Sequence, residues 1–484
     1  MIINALEVTA MLPFFILIFS ILFLTLFISL NRNILFVFIT SIFSLFISLL
    51  SIPFIYFKLP QNISVLFHID IISINYICMI LLISLITCIF SYSWLQSSSY
   101  VNKEEFYLLL LLSTLGSIVV AISNHIFSFF LGIELLSLPL LGLIGYDLQC
   151  KKSLNSTFKF AILSSLSSIF FLLSIVFLYL SIGSLKINNL INALELHYLK
   201  NNLIFLCGNV FFLSSILFKL SIFPFHLWTA SVYNGSPMSI FLYLSNISKI
   251  ALMYFLIQIF SHLYFFNNKK FYFFLQTIIF FSIFLGSIRI IFEKNIKKIL
   301  GYLSIIQSGY LLSILIINLC FNVINLQIIN IYLITYLISN IGIFSVLTLI
   351  DIKWNISKIN KLSKYKGLFW KDPFLTIMMT IFLLSVAGFP LTIGFIGKLY
   401  LLTGIINHNL WILGLGFVFG SVLGILNCFR IITLLYSSLE YASYKINMIN
   451  TNLIYFLHSI IFLFFVLVIF LGIFPKYLFI FFKF

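Results

Sequence analysis

Charge is what this sequence has least of. Acidic and basic residues together make up 8% of the chain, against 62% hydrophobic and 18% aromatic residues. A soluble domain cannot bury so much apolar surface, whereas a bilayer solvates it, so the composition excludes a soluble enzyme and implies an all-α polytopic membrane protein. Acid is scarcer still, with 11 Asp and Glu against 27 Lys and Arg and a formal net charge of +16. The basic excess does not indicate a nucleic-acid partner. It is spread singly or in short stretches between apolar runs, where Lys and Arg set membrane orientation. The six cysteines are scattered and no Cys-x-x-Cys occurs, which argues against an iron–sulfur site and a disulfide framework alike. No Gly-x-Gly-x-x-Gly turn and no run of metal ligands is present, so this chain is expected to bind no cofactor of its own. The first apolar run lacks a basic start and a small-residue cleavage site and is expected as a first membrane helix, not a cleaved signal.

What is there in abundance is apolar runs of membrane length. Windows of about 20 residues separated by polar breaks predict fourteen transmembrane helices, roughly over 10–30, 33–57, 71–95, 106–122, 125–146, 157–182, 202–224, 236–260, 271–291, 299–320, 324–350, 373–401, 410–436 and 451–474. The connections are short except near 58–70, 183–201 and 351–372, which leaves no room for a catalytic domain outside the membrane. Lys219, Lys249 and Lys398 fall within spans. Of the other Lys and Arg residues, alternate loops hold 17 on one side and 7 on the other, counting Lys58, Lys200 and Lys483 on the poorer side and Lys358 and Lys445 on the richer. The richer side is then cytoplasmic, and both termini are expected on the outer, periplasmic side of a bacterial inner membrane.

One stretch departs from ordinary membrane helix. Residues 218–237 read FKLSIFPFHLWTASVYNGSP and place Lys219, Pro224 and His226 within eight residues. A charge and a helix break at membrane depth are each costly unless buried in protein or beside a wet cavity. The twelfth span repeats the theme, with Pro390 eight residues before Lys398 in AGFPLTIGFIGKLY. Two proline-interrupted spans five spans apart are what two inverted five-helix repeats would produce. Coincidence of two ordinary proline kinks is the alternative. Four regions follow: three N-terminal helices over 1–105, one repeat over 106–260, a second over 261–436 and a last helix over 437–484.

Most acids fall in expected loops: Asp70, Glu104, Glu105, Asp147, Glu195, Glu293, Asp351, Asp372 and Glu440. Glu134, in FLGIELLSLPLLGL, is the exception, mid-way along the fifth span. A charge at such depth costs about 2.5–3.5 kcal/mol on insertion scales, which makes Glu134, Lys219, Lys249 and Lys398 the candidate site. Blander readings stand beside this one. Glu134 would serve as a structural ion pair, Lys219 and Lys398 would snorkel to an interface, and Lys159 would only set orientation. His226 would either relay protons or satisfy backbone groups freed at the break. Lys249 is too far from its span's start to snorkel and has Ser245, Asn246 and Ser248 as polar neighbours. Lysine suits proton transfer here, since burial disfavours its charged form and a nearby carboxylate favours it. An ion pair at about 4 Å in an effective dielectric near 20 is worth about 4 kcal/mol, enough for movement of a carboxylate to load or unload a proton.

At this point the residues resemble a known family. FKLSIFPFHLWTASVYNGSP, with GIELLSLPLLGLIGY, NIKKILGYLSIIQSGYLL and LLSVAGFPLTIGFIGKLY, is similar to the subunit N family of respiratory complex I, the proton-translocating NADH:quinone oxidoreductase, equivalent to mitochondrial subunit 2. The likeness runs from about 106 to 436; the ends agree only in hydropathy. It implies an antiporter-like subunit of fourteen helices, with inverted five-helix repeats and broken helices 7 and 12. Glu134 would be the fifth-helix glutamate, Lys219 the seventh-helix lysine, Lys249 the central lysine of helix 8 and Lys398 the twelfth-helix lysine. A lysine at 398 separates this family from sister subunit M, which has a glutamate there, and sister subunit L carries a long C-terminal extension absent here. The family's TPDVY reads TASVY here, with Ala230 and Ser231 in place of Pro and Asp. Asn234 stands for Glu or Gln, and Gln307 for a frequent histidine.

The resemblance implies proton translocation through waters between Glu134 and Lys219, along to Lys249 and on to Lys398. NADH, FMN, iron–sulfur clusters and quinone would belong to partner subunits, and the partners would be the other membrane subunits, the sister antiporter-like subunits among them, and the lipid bilayer. A sodium/proton antiporter subunit and a structural, non-pumping membrane subunit are the competing readings.

Overall fold

A computed structural model of the chain describes residues 5–56, 59–97, 102–190, 202–261, 269–320, 326–354, 361–438 and 451–480. Lys58, Lys200, Lys358, Lys445 and Lys483 of the charge count, and the acids Glu195 and Glu440, lie outside the described residues. Among the described residues the regular structure is helical, apart from a two-residue antiparallel pairing of Gln61–Asn62 with His68–Ile69 and three isolated bridges. Helices follow from the solvent: in lipid every backbone N–H and C=O must be satisfied within its own segment.

In chain order the main helices are α1 (Leu12–Leu30), α2 (Ile34–Tyr56), α3 (Ile71–Ser97), α4 (Glu105–Ile122), α5 (Ile126–Ile144), α6 (Lys151–Ile182), α7 (Leu203–Lys219), α8 (Leu227–Gly235), α9 (Met238–Ser261), α10 (Lys269–Phe292), α11 (Ile296–Cys320), α12 (Leu326–Trp354), α13 (Pro373–Ala387), α14 (Ile393–Asn407), α15 (Trp411–Tyr436) and α16 (Thr451–Ile473). Twelve of these are long and apolar enough to cross a membrane among the described residues. Of the other two expected spans, 202–224 is helical only as far as Lys219, in α7, and 373–401 is divided between α13 and α14.

The chain divides into two compact units. One comprises Met1–Leu220 with Gly235–Phe266, the other Ser221–Asn234 with Asn267–Phe484. Within the first, α4 lies close against α5, because a Cβ on Gly132 would meet the Val120 backbone nitrogen at 2.8 Å. Small residues permit such approach where lipid offers helices no hydrophobic drive to associate. The spans carry many buried serines and threonines, and these satisfy themselves on the preceding turn. Ser113 Oγ donates to Leu110 O at 2.8 Å and Ser304 Oγ to Gly301 O at 2.7 Å, the back-bonding open to hydroxyls in helices.

Two boundaries differ from expectation in ways that matter for chemistry. The seventh span ends as a helix at Lys219, five residues before Pro224, with turns through to Leu227. The eleventh runs on to Trp354, so Asp351 is not a loop acid but a buried residue of α12. Hydropathy falls at Asp351 while helical hydrogen bonding, with no Gly or Pro to stop it, continues.

Candidate functional site

In the first unit, Glu134 occupies the middle of α5, one turn before Pro139. That proline has no N–H to return to the Leu135 carbonyl, so the backbone beside the carboxylate is itself short of a donor. Lys219 is the last residue of α7, where a cation meets the negative end of the helix dipole. The two side chains line one cavity of about 10 Å³ together with Phe130, Ser167, Phe171 and Ser215. That is about the space one water requires, and Glu134, Lys219 and the serines are the polar groups in an otherwise apolar lining. Lys219 Nζ and Glu134 Oε1 are both buried without a hydrogen-bond partner. The other carboxylate oxygen receives only a long contact from Ser137 Oγ, at 3.4 Å. Early termination of α7 therefore does not release Lys219 to an interface, because its ammonium is enclosed.

Lys249 lies in the middle of α9 and is 2% exposed. Ser245 and Asn246 beside it are fully buried, and Asn246 Nδ2 donates to Leu242 O at 3.1 Å. Nine-tenths of the membrane-length stretch of α9 is buried, which excludes snorkelling.

In the second unit, α13 stops at Ala387 through Gly388, at φ +81°. Gly388 N–H bonds to Ser385 O and Phe389 N–H to Leu384 O, at 3.0 and 2.9 Å. This paired closure needs a left-handed residue. The chain then turns through Pro390 and restarts as α14 at Ile393. Lys398 is the sixth residue of α14 and reaches back across the break, its Nζ donating to Ala387 O at 2.6 Å. Its ammonium also lies 5.8 Å from the centre of the Tyr310 ring. Gly388 is required twice over, since a Cβ there would come within 2.6 Å of Lys398 Cδ. Lys398 is thus not near a span's end but enclosed at a helix break, capping an orphan carbonyl.

The remaining sequence candidates separate clearly. The His226 ring hydrogen-bonds the Pro224 carbonyl, and its Nδ1 is buried without a partner; this placement favours the backbone-satisfying role. Lys159 is exposed on α6. Gln307 is buried and accepts from the Tyr332 hydroxyl.

Comparison with known proteins adds to this geometry. Residues 123–424 match the NADH:quinone oxidoreductase/Mrp antiporter transmembrane family. NADH-quinone oxidoreductase subunit N of Buchnera aphidicola subsp. Acyrthosiphon pisum is 43% identical over 436 residues, covering 90% of each chain. The protein of the same name from Buchnera aphidicola subsp. Schizaphis graminum is 41% identical over 480 residues, 98% of each. This chain belongs to the subunit N family of NADH-quinone oxidoreductases.

Solved structures share the fold at lower identity. A chain of respiratory complex I from Thermus thermophilus with bound aureothin superposes with a TM-score of 0.79 at 24% identity, over 96% of this chain and 98% of that one. A chain of the archaeal membrane-bound sulfane sulfur reductase gives 0.83 at 18%, over 97% and 95%, and one of the Mrp complex from Dietzia sp. gives 0.77 at 18%, over 90% and 81%. Family membership and the fold leave the buried acid Asp351 unaccounted for. Asp351 escaped sequence reasoning because a fixed hydropathy window closes at the first charge. The lack of any Gly or Pro from Ile350 to Trp354 was the available signal.

Proposed function

We propose that this chain is a membrane-arm subunit of NADH:quinone oxidoreductase and translocates protons, driven by NADH oxidation and quinone reduction in partner subunits. FMN and the iron–sulfur clusters are assigned to those partners as well. The observation that carries the site assignment is the cavity shared by Glu134 and Lys219, two buried opposite charges with unsatisfied atoms at a helix break. A water in that space would link carboxylate and ammonium, and a small movement of α5 or α7 would change how strongly Glu134 holds the Lys219 proton. Lys249 and Lys398 are the further proton-carrying groups of this reading, with α9 and α14 supplying enclosure. Both termini are placed on the outer side, by the loop charge count. The four-region division, with two inverted repeats over 106–260 and 261–436, belongs to the same proposal.

The test is Lys219→Ala and Glu134→Ala in assembled enzyme, with proton pumping measured in vesicles alongside NADH:quinone turnover. Pumping falls sharply in both and turnover falls with it, because the two are coupled. Normal assembly with unchanged pumping overturns the assignment. The antiporter reading is separated from this one by partners: co-purification with quinone-reductase subunits supports the proposal, and sodium-dependent proton exchange without them refutes it.

A further inference from the structure

The second unit contains a buried ionic group that the four-residue reading does not use. Asp351, near the C-terminal end of α12, is 8% exposed, and its Oδ1 is buried without a hydrogen-bond partner. Two groups from two other elements face it. One is the ammonium of Lys297, 5% exposed in the first turn of α11; the other is the hydroxyl of Tyr365, in the 3-10 turn Leu362–Tyr365. The surrounding charges are more exposed and occupied with each other. Lys353 pairs with Asp372 at 3.2 Å, Trp354 Nε1 donates to the same carboxylate at 3.3 Å, and Lys298 pairs with Glu293 at 3.3 Å. Lys371 stands over the Trp354 ring. Buried opposite charges repay their desolvation only when they are close and their remaining atoms are hydrogen-bonded, and here one carboxylate oxygen of Asp351 has no partner. The arrangement is poor as a fastening and suits a group that takes up a proton.

Polar side chains continue inward from this pair. On α12, Tyr332, Tyr336 and Asn340 recur every fourth residue, and Asn340, three turns away, lies within about 20° of Asp351 around the helix. On α11, Ser304 and Gln307 follow Lys297. These groups are connected: Tyr233 of α8 hydrogen-bonds Ser304 and lies beside Tyr336, Tyr336 bonds Asn340, and Tyr332 donates to Gln307. The step from Asp351 to Asn340 is roughly 16 Å along α12, whereas that from Lys297 to Ser304 is roughly 10 Å along α11, and the four-carbon stem of a lysine covers about half of the shorter one. The inner end reaches α14, where a Cβ on Gly397 would meet Thr335 Oγ1 at 2.6 Å and Tyr332 Cδ2 at 3.2 Å. Lys398 is the next residue. Hydroxyls and amides both donate and accept, which is the property a proton file needs.

We propose that Asp351, set against Lys297 and Tyr365, is a second proton-loading site, at the mouth of a hydroxyl and amide file that leads along α11 and α12 to Lys398. The Asp351 carboxylate takes one proton from the adjoining aqueous side and becomes a neutral acid beside the Lys297 ammonium. It then releases that proton inward, where Lys398 accepts it as a free amine and becomes the ammonium, and Asp351 returns to the carboxylate. One proton is gained and one passed on, and no electron moves. By the loop charge count the adjoining side is cytoplasmic.

This inference rests on the translocation reading above, and the experiment keeps the two apart. Asp351→Asn and Asp351→Glu are compared with Lys219→Ala in assembled enzyme, reading the proton-to-electron ratio and its pH profile. The expected result is a lower ratio and a flattened profile in D351N, with both restored in D351E, since a fastening role would not depend on protonation. An unchanged ratio and profile in assembled D351N, while K219A lowers the ratio, overturns the second loading site alone. No effect in either variant overturns the translocation reading with it. Where D351N does not assemble, infrared difference spectra of wild type and D351E under turnover decide. A protonated-carboxyl band that shifts between them supports the proposal, and identical carboxyl regions refute it.

Discussion

The two helix breaks put a lysine to opposite uses. At the first, Lys219 ends α7 with its ammonium buried, unbonded and beside a cavity that also holds an unbonded oxygen of Glu134. At the second, Lys398 crosses its own break and donates to the Ala387 carbonyl, over the face of Tyr310. No carboxylate pairs with Lys398 among the described residues. The difference is one of satisfaction. A charged hydrogen bond holds Lys398 in place, whereas Lys219 has a carboxylate and space as its alternatives. Breaks of the same kind therefore yield a hydrogen-bonded lysine in one unit and an unbonded one in the other.

The comparison is broken most directly by deleting each charge while keeping side-chain bulk. Lys398→Met leaves the Ala387 carbonyl without its charged donor and is expected to cost about 1.5–3 kcal/mol. Lys219→Met breaks no hydrogen bond but leaves the Glu134 carboxylate without its counter-charge, and is expected to destabilise by less than Lys398→Met. Thermal unfolding of the purified complex checks both, and equal losses would show that the lysines are held alike.

A smaller effect is expected from Gly388→Ala. The left-handed conformation alone costs an alanine about 1–2 kcal/mol, and the new methyl displaces the Lys398 stem. The complex should lose stability and the proton-to-electron ratio should fall, read from unfolding and vesicle pumping on one preparation. If stability falls while pumping is kept, the position of Lys398 is not critical. The smallest change is Ser137→Ala, which removes a contact of 3.4 Å from Glu134. An effect on pumping within the range of about 0.5 kcal/mol is expected, as for a weak, half-satisfied bond. A large loss would make Ser137 an essential partner of the carboxylate.

Much of this molecule was legible in one dimension. The membrane class and most of the apolar spans follow from apolar runs, because the cost of placing a residue in lipid is nearly additive along the chain. Glu134 and the three lysines stood out for the same reason. Burial of Asp351 was not legible: α12 extends one turn beyond its hydropathy window, and only the approach of Lys297 and Tyr365, 54 residues before and 14 after it, turns a helix-end acid into an enclosed one. His226 divided evenly between two roles in sequence, and the nearby Pro224 carbonyl tips the balance.

By itself, then, the amino-acid order determined that the chain lives in a bilayer, most of the stretches apolar enough to cross it, and which few charges fall within them. Tertiary structure decided which of those charges are satisfied. Pairing depends on distances between helices far apart in the chain, and hydrogen bonds weaken steeply over an ångström or so. A carbonyl within 2.6 Å of Lys398 and none within reach of Lys219 is a distinction that no pattern of apolar residues encodes.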